Sequence, residues 1–148
     1  VTTLTFAFYI AAGSWRDWGI RAATGYAESH VEYLTAGPVK AENVCVSSSK
    51  RDGHKVRIKI IEWNPGHWQF VEVPGNARAV GKRILPHVGK GYDTLGALLS
   101  WTPINIQVRG KWFCSELMAH GLGLDDPHQY TPGSFKQALM QMGGKVVE

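Results

Sequence analysis

Cysteine is scarce in this chain, and the two present, Cys45 and Cys114, stand far apart with no CxxC spacing. That excludes a disulfide framework and a structural zinc centre, and it suits a reducing compartment. HxH and HExxH spacings are absent too, so no metal and no other cofactor is expected. Long apolar runs are also missing. The N-terminal stretch "LTFAFYIAAG" is too short to span a bilayer, and no Lys or Arg precedes it as a secretory n-region requires. We read it as a core strand, with no signal peptide and no membrane span, and expect a cytoplasmic location. Internal repeats, heptads, low-complexity segments and Pro/Ser-rich linkers are lacking as well, so residues 1–148 are expected to form one domain. At 148 residues and 44% hydrophobic content, the chain can bury a core without a staple.

The charge is only mildly unbalanced, at +4, which favours acidic partners without identifying one. Part of it sits in "RDGHKVRIKII", where Lys55, Arg57 and Lys59 alternate with Val56, Ile58 and Ile60. A strand there presents a cationic face opposite an apolar one. The first reading is a solvated face whose lysines discourage edge-to-edge pairing; a groove for phosphate, carboxylate or nucleic acid is the second. Six tryptophans could stack bases, but they are scattered with no RNA-binding motif. Packing explains them better, and a nucleic-acid partner is disfavoured.

Turn residues separate five strand-like segments: the N-terminal run, "YAESHVEYL", "ENVCVSSS", "HKVRIKII" and "HWQFVEV". A short helix is predicted between Trp15 and Thr24, opened by the capping pattern of Ser14 and Asp17. Later the period changes. Apolar residues at Ala77, Val80, Ile84 and Leu85, at Leu95, Leu98 and Leu99, and at Phe135, Ala138, Leu139 and Met142 mark helical faces, with Ser134 capping the last and Gly143 ending it. The fold class is therefore α+β, an antiparallel sheet with helices packed on one side.

Within "RGKWFCSELMAHGLGL", a helix beginning near Lys111 or Trp112 places Cys114 in its first turn, where unpaired N–H groups and the positive end of the dipole favour thiolate. Position alone does not separate a nucleophile from a small buried hydrophobe. A nucleophilic cysteine also needs a base, normally histidine. His120 lies six residues on, facing another way, and reads as exposed. His54, His67, His87 and His128 adjoin Gly or Pro in turns, where a solvated ring is the default. His30 differs, because it opens the apolar strand "HVEYL" directly after Ser29.

Taken together, "YAESHVEYL", "NVCVSSSKRDGHKV", "GYDTLGALL", "WFCSEL" and "YTPGSF" resemble the circularly permuted papain-like cysteine hydrolases, the NlpC-type superfamily with its YiiX-like and LRAT-like branches. The overall look is similar to phage or bacterial members, which would place a phage-encoded protein in the host cytoplasm. The resemblance implies a permuted papain-like fold, Cys114 as nucleophile and His30 as its general base. It puts the third, orienting residue on the strand after His30, at Ser47 or Ser48. Serine departs from the usual His, Glu, Asp or Gln, so Glu32 stands as a substitute, although a surface acid is its plainer reading. Tyr26, Ser29 and the backbone N–H of Cys114 would line the oxyanion site and contact substrate. The activity implied is an amidase or peptidase working through an acyl-enzyme on a peptide or acyl substrate, such as cell-wall peptide or an isopeptide bond, with thioesterase or acyltransferase activity a variant. The alternative is a non-catalytic papain-like module that holds an acidic partner on its basic strand face. A redox pair of Cys45 and Cys114 ranks last.

Overall fold

The computed structural model describes residues 2–11, 27–49, 51–92 and 111–147. The predicted helix over Trp15–Thr24, most of the "GYDTLGALL" segment, and Tyr26 lie outside them.

Eight strands form one sheet among the described residues: β1 (Thr2–Tyr9), β2 (His30–Leu34), β3 (Glu42–Ser49), β4 (Lys55–Glu62), β5 (Trp68–Gly75), β6 (Gly91–Tyr92), β7 (Lys111–Trp112) and β8 (Lys145–Val147). Their order is β7-β6-β4-β3-β2-β1-β5-β8. Neighbours pair antiparallel except β6 with β7. β1 is central and runs buried from Leu4 to Phe8, which is why its sequence is apolar or small on both faces rather than alternating. The last three strands are two or three residues long, too short to leave a periodic signal.

Three helices are described: α1 (Ala77–Ile84), α2 (Cys114–Leu122) and α3 (Pro132–Gln141). All three contribute to the larger core, in which Val80, Ile84, Leu117, Met118, Phe135 and Leu139 meet Phe6, Phe8, Val31 and Val71 of the sheet. Phe135 stands edge-on to Phe6, with centroids 5.4 Å apart. A smaller cluster of Ala7, Leu34, Cys45 and Phe70 is packed by Trp63 and Trp68. The α+β class with an antiparallel sheet is thus observed.

Two helix starts differ from expectation. α3 opens at Pro132, not after Ser134, because Thr131 is the N-cap and its hydroxyl accepts the Ser134 N–H at 3.2 Å. α2 begins at Cys114, since Lys111 and Trp112 are held in strand by pairing with β6. Among the described residues, no helix is long and apolar enough to cross a membrane.

β4 keeps Lys55 and Lys59 exposed and Val56 buried, as expected, but departs at three other positions. Ile58 and Ile60 are 48% and 57% exposed, whereas Arg57 is only 8% exposed. The helices cover Val56 but do not reach the outer part of the strand. Arg57 is drawn inward by a buried acid.

Candidate active site

The start of α2 is built around its first residue. Phe113 keeps an extended backbone (φ −92°, ψ 154°) and ends the strand, so Cys114 occupies the first helical position, where its N–H has no acceptor within the helix. Glu116, two residues on, accepts the Phe113 N–H at 3.1 Å. Two further bonds fix this corner from distant segments. Ser48 donates its hydroxyl to the Trp112 carbonyl at 2.5 Å, and Ser115 donates to the Tyr130 carbonyl.

His30 is the first residue of β2, opposite Tyr9 of β1. Its Nε2 lies 2.7 Å from Glu32 Oε1. The Cys114 side chain also acts on this ring, by charge and by hydrogen bonding. Burial opposes a charged ring, but the Cys114 sulfur by charge and hydrogen bond, and then Glu32, outweigh it and raise the His30 pKa to about 10. Cys114 itself is 1% exposed and the His30 side chain 23%, so the imidazole is the more open of the two.

Glu32 is fully buried, not a surface acid. Arg57 grips it at both oxygens, Nη1 donating to Oε2 at 2.7 Å and Nη2 to Oε1 at 2.6 Å. Burial would raise the carboxyl pKa, yet the hydrogen bonds and charges of Arg57 and His30 hold it below the ordinary range. Arg57 Nε donates to Asp52 Oδ2 at 2.8 Å, and Lys59 Nζ to Oδ1 at 2.9 Å. These two cations outweigh burial and bring Asp52 down to about 2.

Ser47 is elsewhere engaged. Its buried hydroxyl donates to the Val31 carbonyl at 2.6 Å, so it braces β2 while Glu32 takes the place beside the imidazole. Ser48 likewise serves the Trp112 carbonyl. Ser29 is buried directly before His30 and sends its N–H to the Tyr9 carbonyl at 3.0 Å. Arg57 and Asp52 were missed from the sequence as site residues. Ser47 pairs with Arg57 of β4, and β3 lies between β4 and β2, whose Tyr33 pairs with Val46 next to Ser47. The guanidinium thus crosses a small serine to reach the acid. The serine run was the available signal, but it becomes legible only once the register is known.

Two other histidines depart from the solvated readings. His87 and His120 are half-buried with their Nε2 atoms 3.2 Å apart, and both rings pack on Trp112. Burial first, then Lys90 and His120, lower the His87 pKa to about 4. Cys45 is sealed in the sheet, where burial pushes its thiol up to about 12, an unreactive state. Among the described residues, no group of three or more His, Cys, Asp and Glu is placed to share a metal ion.

No family model, curated protein or solved structure matches this chain.

Proposed function

We propose that this protein is a cysteine hydrolase of the permuted papain-like kind, acting on an amide bond in a peptide or isopeptide substrate such as cell-wall peptide, in the cytoplasm or, if phage-encoded, that of the host. The observation that supports it is the hydrogen-bonded line from Cys114 at a helix N-terminus through His30 to Glu32. The Cys114 sulfur attacks the carbonyl carbon and the C=O electron pair moves to oxygen. The Cys114 N–H and the helix dipole favour that oxyanion. Imidazolium His30 gives its proton to the departing amine as the C–N bond breaks, leaving a thioester. His30 then takes a proton from water, whose oxygen attacks the thioester, and the acid leaves as the sulfur is restored. Glu32 fixes which ring nitrogen faces the sulfur. Tyr26 and Ser29, just upstream of His30, remain the proposed substrate contacts.

The alternative basic docking face loses two of its three cations, because Arg57 is buried against Glu32 and Lys59 is paired with Asp52. The test is covalent labelling by an electrophilic acyl or vinyl probe. Cys114→Ala and His30→Ala are each expected to abolish labelling while far-UV circular dichroism is unchanged. Undiminished labelling of Cys114→Ala would sink the reading.

A further inference from the structure

Six side chains stand in a line of alternating charge when the sulfur is ionised: Cys114, His30, Glu32, Arg57, Asp52 and Lys59. The first three pose an electrostatic problem. A thiolate and a carboxylate would flank one imidazolium, giving a largely buried trio a net charge of one minus. Desolvation penalises that excess, and returning a proton to sulfur is the nearest relief. Arg57 supplies the missing positive charge. Its guanidinium fork binds both Glu32 oxygens, which also stops the carboxylate from rotating away from His30. Asp52 holds the Arg57 Nε, and Lys59 in turn balances Asp52.

We infer that Arg57 is a positioning residue of the candidate site: by neutralising and clamping Glu32, it allows the Cys114 sulfur to stay ionised beside a protonated His30. This rests on the cysteine-hydrolase reading. Three other titratable groups among the described residues have their own roles. Cys45 on β3 keeps its proton, Glu116 on α2 accepts the Phe113 N–H, and Glu28 ahead of β2 is paired with Lys136. Charge balance also explains why a glutamate can stand here: acid and arginine come as a pair.

The test compares alkylation of Cys114 by iodoacetamide at neutral pH in wild type, Arg57→Met, Arg57→Lys and the double variant Glu32→Gln/Arg57→Met. Intact mass reports the modification, Cys114→Ala sets the background, and circular dichroism monitors folding. Removing one adjacent charge is expected to slow Arg57→Met by about ten-fold or more, with recovery at alkaline pH. Arg57→Lys keeps the charge without the fork and falls between. The double variant should regain most of the rate, because a thiolate and an imidazolium are neutral without the other two; loss of a merely structural contact would not be repaired by a second substitution. If Arg57→Met does not fold, the double variant and Arg57→Lys carry the comparison, and a double variant slower than Arg57→Lys by ten-fold overturns the inference. A folded Arg57→Met as fast as a fast wild type overturns it alone. A wild-type Cys114 no faster than free cysteine overturns the hydrolase reading and the inference with it.

Discussion

Glu32 shares one oxygen between an imidazole and a guanidinium, and the two bonds have opposite demands. Toward His30 the carboxylate must be basic enough to hold the N–H, yet if it took the proton the imidazolium would be lost. Arg57 resolves this by lowering the Glu32 pKa. Ser47 has no such part, since its hydroxyl is committed to the Val31 carbonyl. Ser47→Ala is therefore expected to cost about 1–3 kcal/mol by leaving a buried carbonyl without its donor, and to leave the labelling rate of Cys114 at the wild-type level. Denaturant melts and labelling kinetics check the two halves separately; a labelling loss with wild-type stability would return the orienting role to Ser47. As candidates, Cys114 and His30 were legible in the sequence because each carries a local sign, the first turn of a helix and the start of a strand. Glu32 was legible only as an alternative, since two-residue spacing puts it on the His30 side of β2 but says nothing of burial.

The helix that Cys114 opens is held against α1 by an unusually close approach. A Cβ on Gly121 would lie 2.6 Å from Ile84 Cδ1 and 2.8 Å from Cγ1, and Ile84 is 1% exposed with nowhere to turn. Two effects oppose each other in Gly121→Ala. Alanine gains about 1 kcal/mol of helix propensity, whereas overpacking a core costs roughly 1–3 kcal/mol. Overpacking wins because both touched atoms belong to a buried side chain. The variant is expected to unfold at lower denaturant, and the pairing Gly121→Ala/Ile84→Val, which trims the clash, should recover part of the loss. The same corner shows where element boundaries escape sequence reasoning. The sequence places a helix here with Cys114 in its first turn, but its start is set by β7 pairing with β6, a contact between segments about twenty residues apart. β4 gives the converse lesson. Alternation predicted a strand correctly but misplaced Arg57, Ile58 and Ile60, because what covers each face comes from elsewhere.

Across the molecule, stability in acid depends on groups that resist or lose protons. His87 has its pKa depressed from 6.5 to about 4, so the unfolded chain binds a proton that the folded chain refuses. Its contribution is full above about pH 6.5 and is lost as the pH falls toward 4. His120 is shifted in the same direction by burial and Arg83. Asp52 and Glu32, depressed carboxyls, extend the loss to still lower pH. Urea midpoints are expected to fall between about pH 6.5 and pH 4, with the slope reduced in His87→Gln. A midpoint flat over that range, or an equal slope in the variant, would count against the neutral imidazole pair.

What the sequence determined by itself is local: which segments alternate and become strands, which repeat every three or four residues and become helices, and that a cysteine falls in the first turn of one such helix while a histidine opens one such strand. Those properties depend on a few consecutive residues. The tertiary structure alone decided which strands lie side by side, and with that the register that carries Arg57 over Ser47 to Glu32. Burial and charge pairing join segments far apart in the chain, and no short stretch encodes its distant neighbour.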